Sequence, residues 1–415
     1  MSAREKLLLL VGYAVLVLVR MPVVAIHGRL WAEEGNVYLA AAWNQGWWGA
    51  IAAVHEDYLN LAATMATLFA VHLVPLRDAP HVTVALALAI QLLPPLLLLT
   101  SGFVWLRDRP VLIASLLLVL TPPLSSEVWL NSITSHFHMM VAVGIILAAP
   151  VRGGAVGVLR GAVLLAAPLC GPGSIFATPL FVLRALRDRS WVRAGQAALI
   201  CAAAAIQMAV YATHRAPGRH LELSVPLLLS VLFVKDMLVP LAGAHLARVV
   251  DGQFIMPGLL AHRWPLLSTA GSVLGIGLVG GAILWRAREE VAWLFACALL
   301  MAVLSYMGAM LGGSDMATVD FGMRYAYPPM VLFGLSILGL AANARGVVRP
   351  LAGVLVVWLI VVGGAEYFAV PREMRNGPSW PAQVAEWRVN PMHMLETWPG
   401  TGDWVFALDP RRQPR

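Results

Sequence analysis

The sequence predicts an all-α protein, a polytopic bundle of transmembrane helices, and three observations support this prediction. Hydrophobic residues make up 60% of the 415 residues, charged residues only 12%, and the mean hydropathy is +0.76. A membrane span needs roughly 20 mostly apolar residues, and runs of that length recur from one end of the chain to the other. No long polar interval separates them, which favours one integral domain over a soluble domain on an anchor.

The first apolar run, residues 7–26, begins beside Arg4 and Lys6 and is followed by no small-residue cleavage site. We therefore expect a retained helix with a cytoplasmic amino terminus rather than a signal peptide. Arginines further along cluster at the ends of apolar runs, where the positive-inside rule places cytoplasmic turns. These clusters account for the net charge of +7, so we expect a multi-pass protein of the inner (plasma) membrane and no nucleic-acid partner.

Alternation between the basic turns predicts about 9–12 spans, together with short re-entrant and interfacial helices. The run 161–186 is basic at both ends but only one span long, so its "CGPGS" break at residues 170–174 predicts a helical hairpin. The apolar stretch 227–250 contains charged residues and is interpreted as an interfacial helix. Between residues 60 and 107 the number of crossings stays open, because Pro94 and Pro95 could split the second of two apolar runs, or the first run, residues 61–76, could be interfacial.

This pattern predicts a transmembrane domain over residues 1–366, with an acidic loop at 27–60 on the extracytoplasmic side that is the candidate catalytic loop for the residues discussed below. The remaining residues, 367–415, are expected to form an extracytoplasmic tail that packs on the outer face.

Loop 27–60 concentrates carboxylates in a chain that has only 22 acidic residues. Glu33 and Glu34 precede a stretch with helical spacing, and acids at a membrane edge are costly unless they face water or a partner, so they are candidate functional residues. For these two residues, a solvated loop is the alternative.

Two other features belong to the same loop. "HEDY" at residues 55–58 fits either the rim of an active site or exposure to solvent. Four tryptophans are predicted to form an interface belt, with sugar stacking as the lesser alternative: Trp31, Trp43, Trp47 and Trp48.

The "MRYAYPP" segment places Arg324 beside Tyr325 immediately before an apolar run. A guanidinium at this level can bind a lipid phosphate through two hydrogen bonds, whereas the alternative is an arginine that extends to the interface from a helix end. Lys235 and Arg248 are similar, weaker candidates.

The remaining motifs give weaker evidence of a functional site. The three cysteines lie in apolar runs without CxxC spacing, and the outer histidines are scattered, so no metal site is predicted, although a divalent ion stays an open hypothesis. "GIGLVG" at residues 275–280 lies inside a continuous apolar run, which favours helix packing over dinucleotide binding. No nucleophile elbow of the form GxSxG is present.

Five motifs, "WAEEGNVYLAAAWNQGWW", "YLNL", "NSITSHFHMM", "CGPGSIFATPLFVL" and "MRYAYPP", resemble those of a poorly characterised bacterial family that is similar to the GT-C superfamily of membrane glycosyltransferases. The resemblance covers most of the chain. In that family the first motif usually has the form W-x-E-D-G, and Glu34 stands here in place of the Asp, which leaves open whether Glu33 or Glu34 is the catalytic base.

The resemblance implies a GT-C-like fold and the transfer of a sugar from a polyprenyl-phosphate donor to a glycan, lipid or protein acceptor of the cell envelope. Arg324 would then hold the leaving phosphate. The candidate substrate-binding residues are Arg324, Tyr325, His55, Glu56, Asp57, Tyr58, Asn131, His136, Lys235 and Arg248.

A transporter or polymerase of lipid-linked glycans is the alternative. A transporter is expected to carry charged groups along a path through the bilayer and inverted repeats between its halves. Neither pattern is evident in the sequence, in which Arg20 is the clear charge deep within an apolar run.

Overall fold

The computed structural model describes residues 1–55, 57–214 and 224–412. These ranges are nearly all helical, and their strands are the antiparallel pair β1 (Leu395–Glu396) and β2 (Val405–Phe406). In chain order the α-helices are α1 (Ala3–Arg20), α2 (Pro22–His27), α3 (Ala40–Ile51), α4 (Leu61–Leu73), α5 (Ala79–Gln91), α6 (Leu93–Thr100), α7 (Arg109–Leu120), α8 (Ser135–Ala148), α9 (Gly154–Ala166), α10 (Thr178–Asp188), α11 (Trp191–Thr213), α12 (Val225–Val231), α13 (Val239–Val250), α14 (Met256–Leu260), α15 (Leu266–Arg286), α16 (Glu289–Ala309), α17 (Tyr327–Asn343), α18 (Val348–Glu366) and α19 (Trp380–Val389).

Seven helical segments of the described ranges are long and apolar enough to cross a membrane. They are Leu76–Thr100, Trp191–Thr213, Val225–Leu260, Leu266–Arg286, Glu289–Ala309, Met323–Asn343 and Val348–Glu366. Shorter apolar helices accompany them at Leu61–Leu73, Arg109–Leu120, Ser135–Ala148 and Gly154–Cys170. The prediction of a helical, multi-pass membrane protein is confirmed at this level, whereas the number of crossings and the orientation stay predictions.

Helix α8 forms the centre of the bundle. Every side chain from Phe137 to Ala148 is buried, and α5, α6, α16 and α17 pack around the helix. A helix that is apolar on all sides, as α8 is beyond its first turn, must be surrounded by other helices to bury its whole surface. The two ends of α8 therefore provide a natural reference for the rest of the molecule.

The predicted hairpin is present as a break between two helical arms. A 3₁₀ turn, Ala167–Cys170, extends α9, and a second, Pro172–Ala177, leads into α10, with Gly171 between them. At this tip, a Cβ on Gly171 would lie 2.9 Å from the ring of His136, at the amino-terminal end of α8.

The bases of both arms return to the opposite end of α8. Arg160 of α9 donates to Pro150 O at 2.6 Å, Arg184 of α10 donates to Leu147 O, and Arg193 at the start of α11 donates to Ala149 O at 2.6 Å. The last carbonyls of a helix have no partner within that helix, so these arginines satisfy them. The two arms thus run along α8 and back, as the sequence predicts for a re-entrant hairpin.

In two regions the structure either decides a question that the sequence left open or differs from the prediction. Pro94 and Pro95 occupy the first turn of α6, where proline is tolerated, so α5 and α6 meet at Leu92 within one apolar segment, Leu76–Thr100, that is long enough to span. The stretch interpreted as an interfacial helix lies instead within Val225–Leu260, which is long and apolar enough to span. Lys235, one of the charges that favoured the interfacial interpretation, is completely buried and has carbonyl partners.

The carboxyl-terminal residues pack on residues 28–51, which comprise the acidic loop and α3. Trp398 exchanges backbone hydrogen bonds with this loop, donating to Leu30 O at 3.0 Å and accepting from Ala32 N at 2.7 Å. The indole of Trp43 donates to Asp409 O at 2.9 Å and meets Trp387 edge to face at 5.8 Å. The tail is therefore an integral part of the end of the molecule that carries the acidic loop.

These contacts correct the prediction of a four-tryptophan interface belt. Trp31 and Trp43 are buried, 6% and 7% exposed, whereas Trp47 and Trp48 are exposed. Only the exposed pair can lie among lipid headgroups, and the buried pair joins the amino-terminal loop to the tail.

The close contact between α18 and the end of α7 gives a first prediction. A Cβ on Gly363 would overlap the carbonyl oxygen of Thr121, whereas Gly353 of the same helix faces open space. We expect Gly363→Ala to lower the free energy of unfolding by ~1–3 kcal/mol through overpacking, and Gly353→Ala to be neutral or stabilising by up to ~1 kcal/mol through helix propensity. Thermal unfolding of the two variants in detergent tests this, and equal midpoints would contradict the contact.

Candidate functional site

Four loop segments meet at the amino-terminal end of α8. They are residues 28–34, 57–60, 121–135 and 318–325, and we call this region the loop junction. Asn60 caps α4 and donates from its amide to Ile133 O at 2.9 Å, which fixes the second segment against the third. The Gly171 tip of the hairpin closes the same region from the side.

Glu34 is the central connection in the loop junction. Its carboxylate is fully buried and accepts from Trp31 N at 2.7 Å, from Ser132 N at 2.6 Å and from Ser132 Oγ at 2.5 Å. Burial raises the pKa of Glu34, while the hydrogen bonds from Ser132 and Trp31 and the charge of Arg29 oppose that rise. Both oxygens are thus occupied by donors, so Glu34 holds the loops together and is poorly placed to take a proton from a substrate.

Glu33, its neighbour, is half-buried at the start of a π-helical turn, Glu34–Leu39. A π turn inserts one residue into a helix and recurs at functional sites. Of the two candidate bases left open by the sequence, Glu33 is the one whose side chain retains exposure. The hypothesis of a catalytic base in this motif therefore rests on Glu33.

Arg29 lies between the acidic groups of the loop junction. The guanidinium is 1% exposed, donates to Trp129 O at 2.9 Å and Met374 O at 3.0 Å, and packs 4.9 Å from the Trp31 ring centroid. Burial lowers the pKa of Arg29 to about 10, and the charges of Glu34 and then Glu127 act in the opposite direction. Arg29 therefore offsets the buried negative charge, and within the described ranges it does so without a direct ion pair.

Arg324 reaches the same loop from the start of α17. Its Nη1 donates to Glu127 Oε1 at 2.6 Å, and its guanidinium lies 5.2 Å from the Tyr325 ring centroid. Tyr325 meets Phe137 edge to face at 5.5 Å, and Phe137 lies beside His136. The side chains of Arg324 and Glu127 are 38% and 24% exposed, so the pair is accessible to a ligand.

Asn131, predicted to bind substrate, has a structural role. It is fully buried, its amide donates to Glu127 O at 2.6 Å, and its oxygen accepts from Thr134 N at 2.9 Å and Thr134 Oγ1 at 2.6 Å. These bonds use the donors and the acceptor of the amide to shape loop 121–135. Asn131 thus positions Glu127 and is not available for a substrate.

Lys235 also differs from the prediction, whereas a binding role for Arg248 stays a prediction. Lys235 is fully buried and donates to Thr318 O at 3.0 Å and Phe321 O at 2.5 Å. Arg248 forms a bidentate ion pair with Asp320, with a shortest distance of 2.7 Å. Both cations hold the segment that precedes Arg324, so they act on the site through that segment.

The "HEDY" residues, 55–58, differ in their burial and contacts. His55 and Tyr58 exchange backbone hydrogen bonds across a tight turn, and both side chains are half-buried. Asp57 in this turn is buried and has a positive φ of 75°, and Glu56 lies outside the described residues. Leu59 is fixed by Gln207 of α11, which accepts from its N–H and donates to its carbonyl, both at 3.1 Å. This turn borders the loop junction, and its role in binding stays a prediction.

Within the described ranges, no group of three or more His, Cys, Asp or Glu side chains could hold a metal ion. The hypothesis of a divalent ion therefore has no assigned ligands in those ranges.

No family model, curated protein or solved structure matches the chain. The likeness to GT-C glycosyltransferases therefore stays a prediction that rests on the motifs.

Three site residues were not singled out from the sequence: Arg29, Glu127 and Ser132. Glu127 and Ser132 lie in the polar stretch "SSEVWLNSITSHFH", residues 125–138, but their partners are about 200 and about 100 positions away along the chain, respectively. Arg29 had a detectable signal, since it is a cation in a loop that the positive-inside rule assigns to the outside.

Replacement of Glu34 tests its structural role. In Glu34→Gln, an amide N–H₂ replaces one oxygen and faces backbone or hydroxyl donors, so we expect the free energy of unfolding to fall by ~1–3 kcal/mol or more. Glu373→Gln, the same change at an exposed position of the tail, should stay within ~0.5 kcal/mol of the natural protein. Thermal unfolding in detergent measures both, and an unaltered midpoint for Glu34→Gln would refute the role assigned to its carboxylate.

Proposed function

We propose that this protein is an integral membrane glycosyltransferase that moves a sugar from a polyprenyl-phosphate donor to a glycan, lipid or protein acceptor of the cell envelope. One observation carries the proposal. The acidic motif and Arg324 are attached to the same loop, through Glu34–Ser132 at one end and Glu127–Arg324 at the other. A half-buried carboxylate and an accessible guanidinium are thus supported by a common rigid element at the end of the bundle that we predict to be extracytoplasmic.

The carboxylate suits the activation of the acceptor hydroxyl, and the guanidinium suits the stabilisation of the leaving phosphate. Glu33 takes the proton of an acceptor hydroxyl, and the acceptor oxygen forms a bond to the anomeric carbon of the sugar. The bond between that carbon and the lipid phosphate breaks, and its electron pair stays on the phosphate oxygen. Arg324 compensates the charge that develops there. Attack opposite the leaving group inverts the configuration at the anomeric carbon.

Glu127 is assigned the role of positioning Arg324. In the absence of phosphate it neutralises the guanidinium, and a charge-assisted hydrogen bond of 2.6 Å restricts the directions in which the remaining N–H groups point. An arginine held in this way loses less conformational entropy when a phosphate binds than a freely rotating one would.

Mass spectrometry of envelope glycans and lipid-linked sugars, in cells with and without the gene, distinguishes the proposed function from the alternative. Loss of the gene should remove a sugar from a glycan and cause the sugar-loaded polyprenyl phosphate to accumulate. Accumulation of a finished glycan on the inner leaflet would instead indicate a transporter and overturn the proposal.

Variants of the two assigned residues then test the mechanism. We expect Glu33→Gln to lower the rate of sugar transfer in isolated membranes by ~10²-fold or more through loss of the base, and Arg324→Gln by ~10²–10³-fold through loss of charge stabilisation. Arg345→Gln is the matched control, since Arg345 is exposed beyond the other end of α17. Normal turnover by Glu33→Gln and Arg324→Gln, at wild-type protein levels, would exclude these roles.

A further inference from the structure

A second polar region lies at the opposite end of α8, away from the loop junction. A cavity of about 550 Å³ opens there between the start of α1, the end of α6 and the segment that follows α8. Arg160 ties this region to α8, because it donates both to Pro150 O at 2.6 Å and to Ser101 O, in the cavity wall, at 2.9 Å. Since α8 has 14 residues, the two regions are separated by ~21 Å of helix.

The cavity is lined by three cations and, among its lining residues, no acid. The cations are Lys6, Arg107 and Arg152. Within the described ranges, none of them lies within ion-pair distance of a carboxylate, and the nearby Glu5 is engaged by Arg109 at 2.6 Å. Three unneutralised positive charges around one cavity repel each other, so an anion that enters gains the interaction with all three.

Arg152 is held close to the cavity wall by the shape of the backbone. Gly102 has a φ of +85°, and a Cβ at this position would lie 2.6 Å from Nη2 of Arg152. The missing side chain lets the guanidinium lie against residues 101–103, which form the wall. This arrangement is more specific than a basic loop that merely sets topology.

Apart from Thr100 and Ser101, the remaining side chains of the lining are apolar, which favours a lipid over a free anion. Leu98, Leu106 and Leu112 form part of the floor. A second cavity of about 580 Å³ shares Arg107 and continues along α7, α17 and α18 over side chains such as Val111, Leu338 and Val357, with Asp108 and Arg349 also in its lining. An acyl chain fits such a groove, and the acid in the second cavity places the phosphate in the first.

We propose that the first cavity binds the phosphate headgroup of an anionic phospholipid, whose acyl chains lie along the adjoining groove. Basic pockets between membrane helices are suited to such headgroups because they combine several cations with an apolar surface. The volume lies within the range of cavities that hold small ligands. This site is separate from the loop junction and does not depend on the proposed transfer reaction.

Native mass spectrometry of the purified full chain tests the proposal. The protein in detergent is titrated with phosphatidylglycerol, with phosphatidylcholine and with inorganic phosphate. We expect phosphatidylglycerol to be retained in preference to phosphatidylcholine, and inorganic phosphate at equal concentration neither to bind nor to displace it. Equal retention of the two lipids would overturn the anionic assignment, and tight binding of phosphate alone would overturn the lipid assignment.

Substitutions of the cations that line the first cavity test whether the lipid binds there. Removing each cation should weaken phosphatidylglycerol binding roughly fivefold, so Arg107→Gln/Arg152→Gln should lose about 25-fold by the same reasoning. Arg189→Gln, the same change at an exposed position next to the arginine cluster of the same face, should bind as the natural protein does. If the double variant fails to fold, Lys6→Gln alone must show the fivefold loss, and unaltered binding in either case would refute the site.

Discussion

The structure of the loop junction depends on the three hydrogen bonds that Glu34 accepts. A carboxylate removed from water loses its hydration, and only donors of good geometry can replace it. Ser132 and Trp31 supply those donors, so the first loop can occupy its position only when loop 121–135 is correctly folded beside it. The location of Glu33, one residue away, follows from the same three bonds.

Buried cations organise the remainder of the molecule by donating to backbone carbonyls. Arg160, Arg184 and Arg193 satisfy the carboxyl-terminal end of α8, Arg29 joins Trp129 to Met374, and Lys235 shapes the segment before Arg324. A guanidinium has five donors and an apolar, weakly hydrated face, so it can connect irregular segments through several of their carbonyls at once. The basic character of the chain thus serves the packing of its loops as well as its topology.

The sequence predicted the architecture well where a single physical rule decides it. Hydropathy identifies the apolar helices, and the glycines and proline of "CGPGS" identify the break at Gly171, because both signals are local. It failed for Asn131 and Lys235, whose residue types suit a substrate but whose partners, Glu127 and Thr318, are defined only by the fold. Nor could it separate Glu33 from Glu34, since adjacent positions differ here only in which side chain turns inward.

The brevity of α8 has a consequence for the depth of the loop junction. Fourteen residues span ~21 Å, against a hydrocarbon thickness of ~30 Å. Because other helices rather than lipid enclose α8, the loops that meet at its ends fill the difference. A phosphate bound at the loop junction would then lie below the level of the surrounding headgroups.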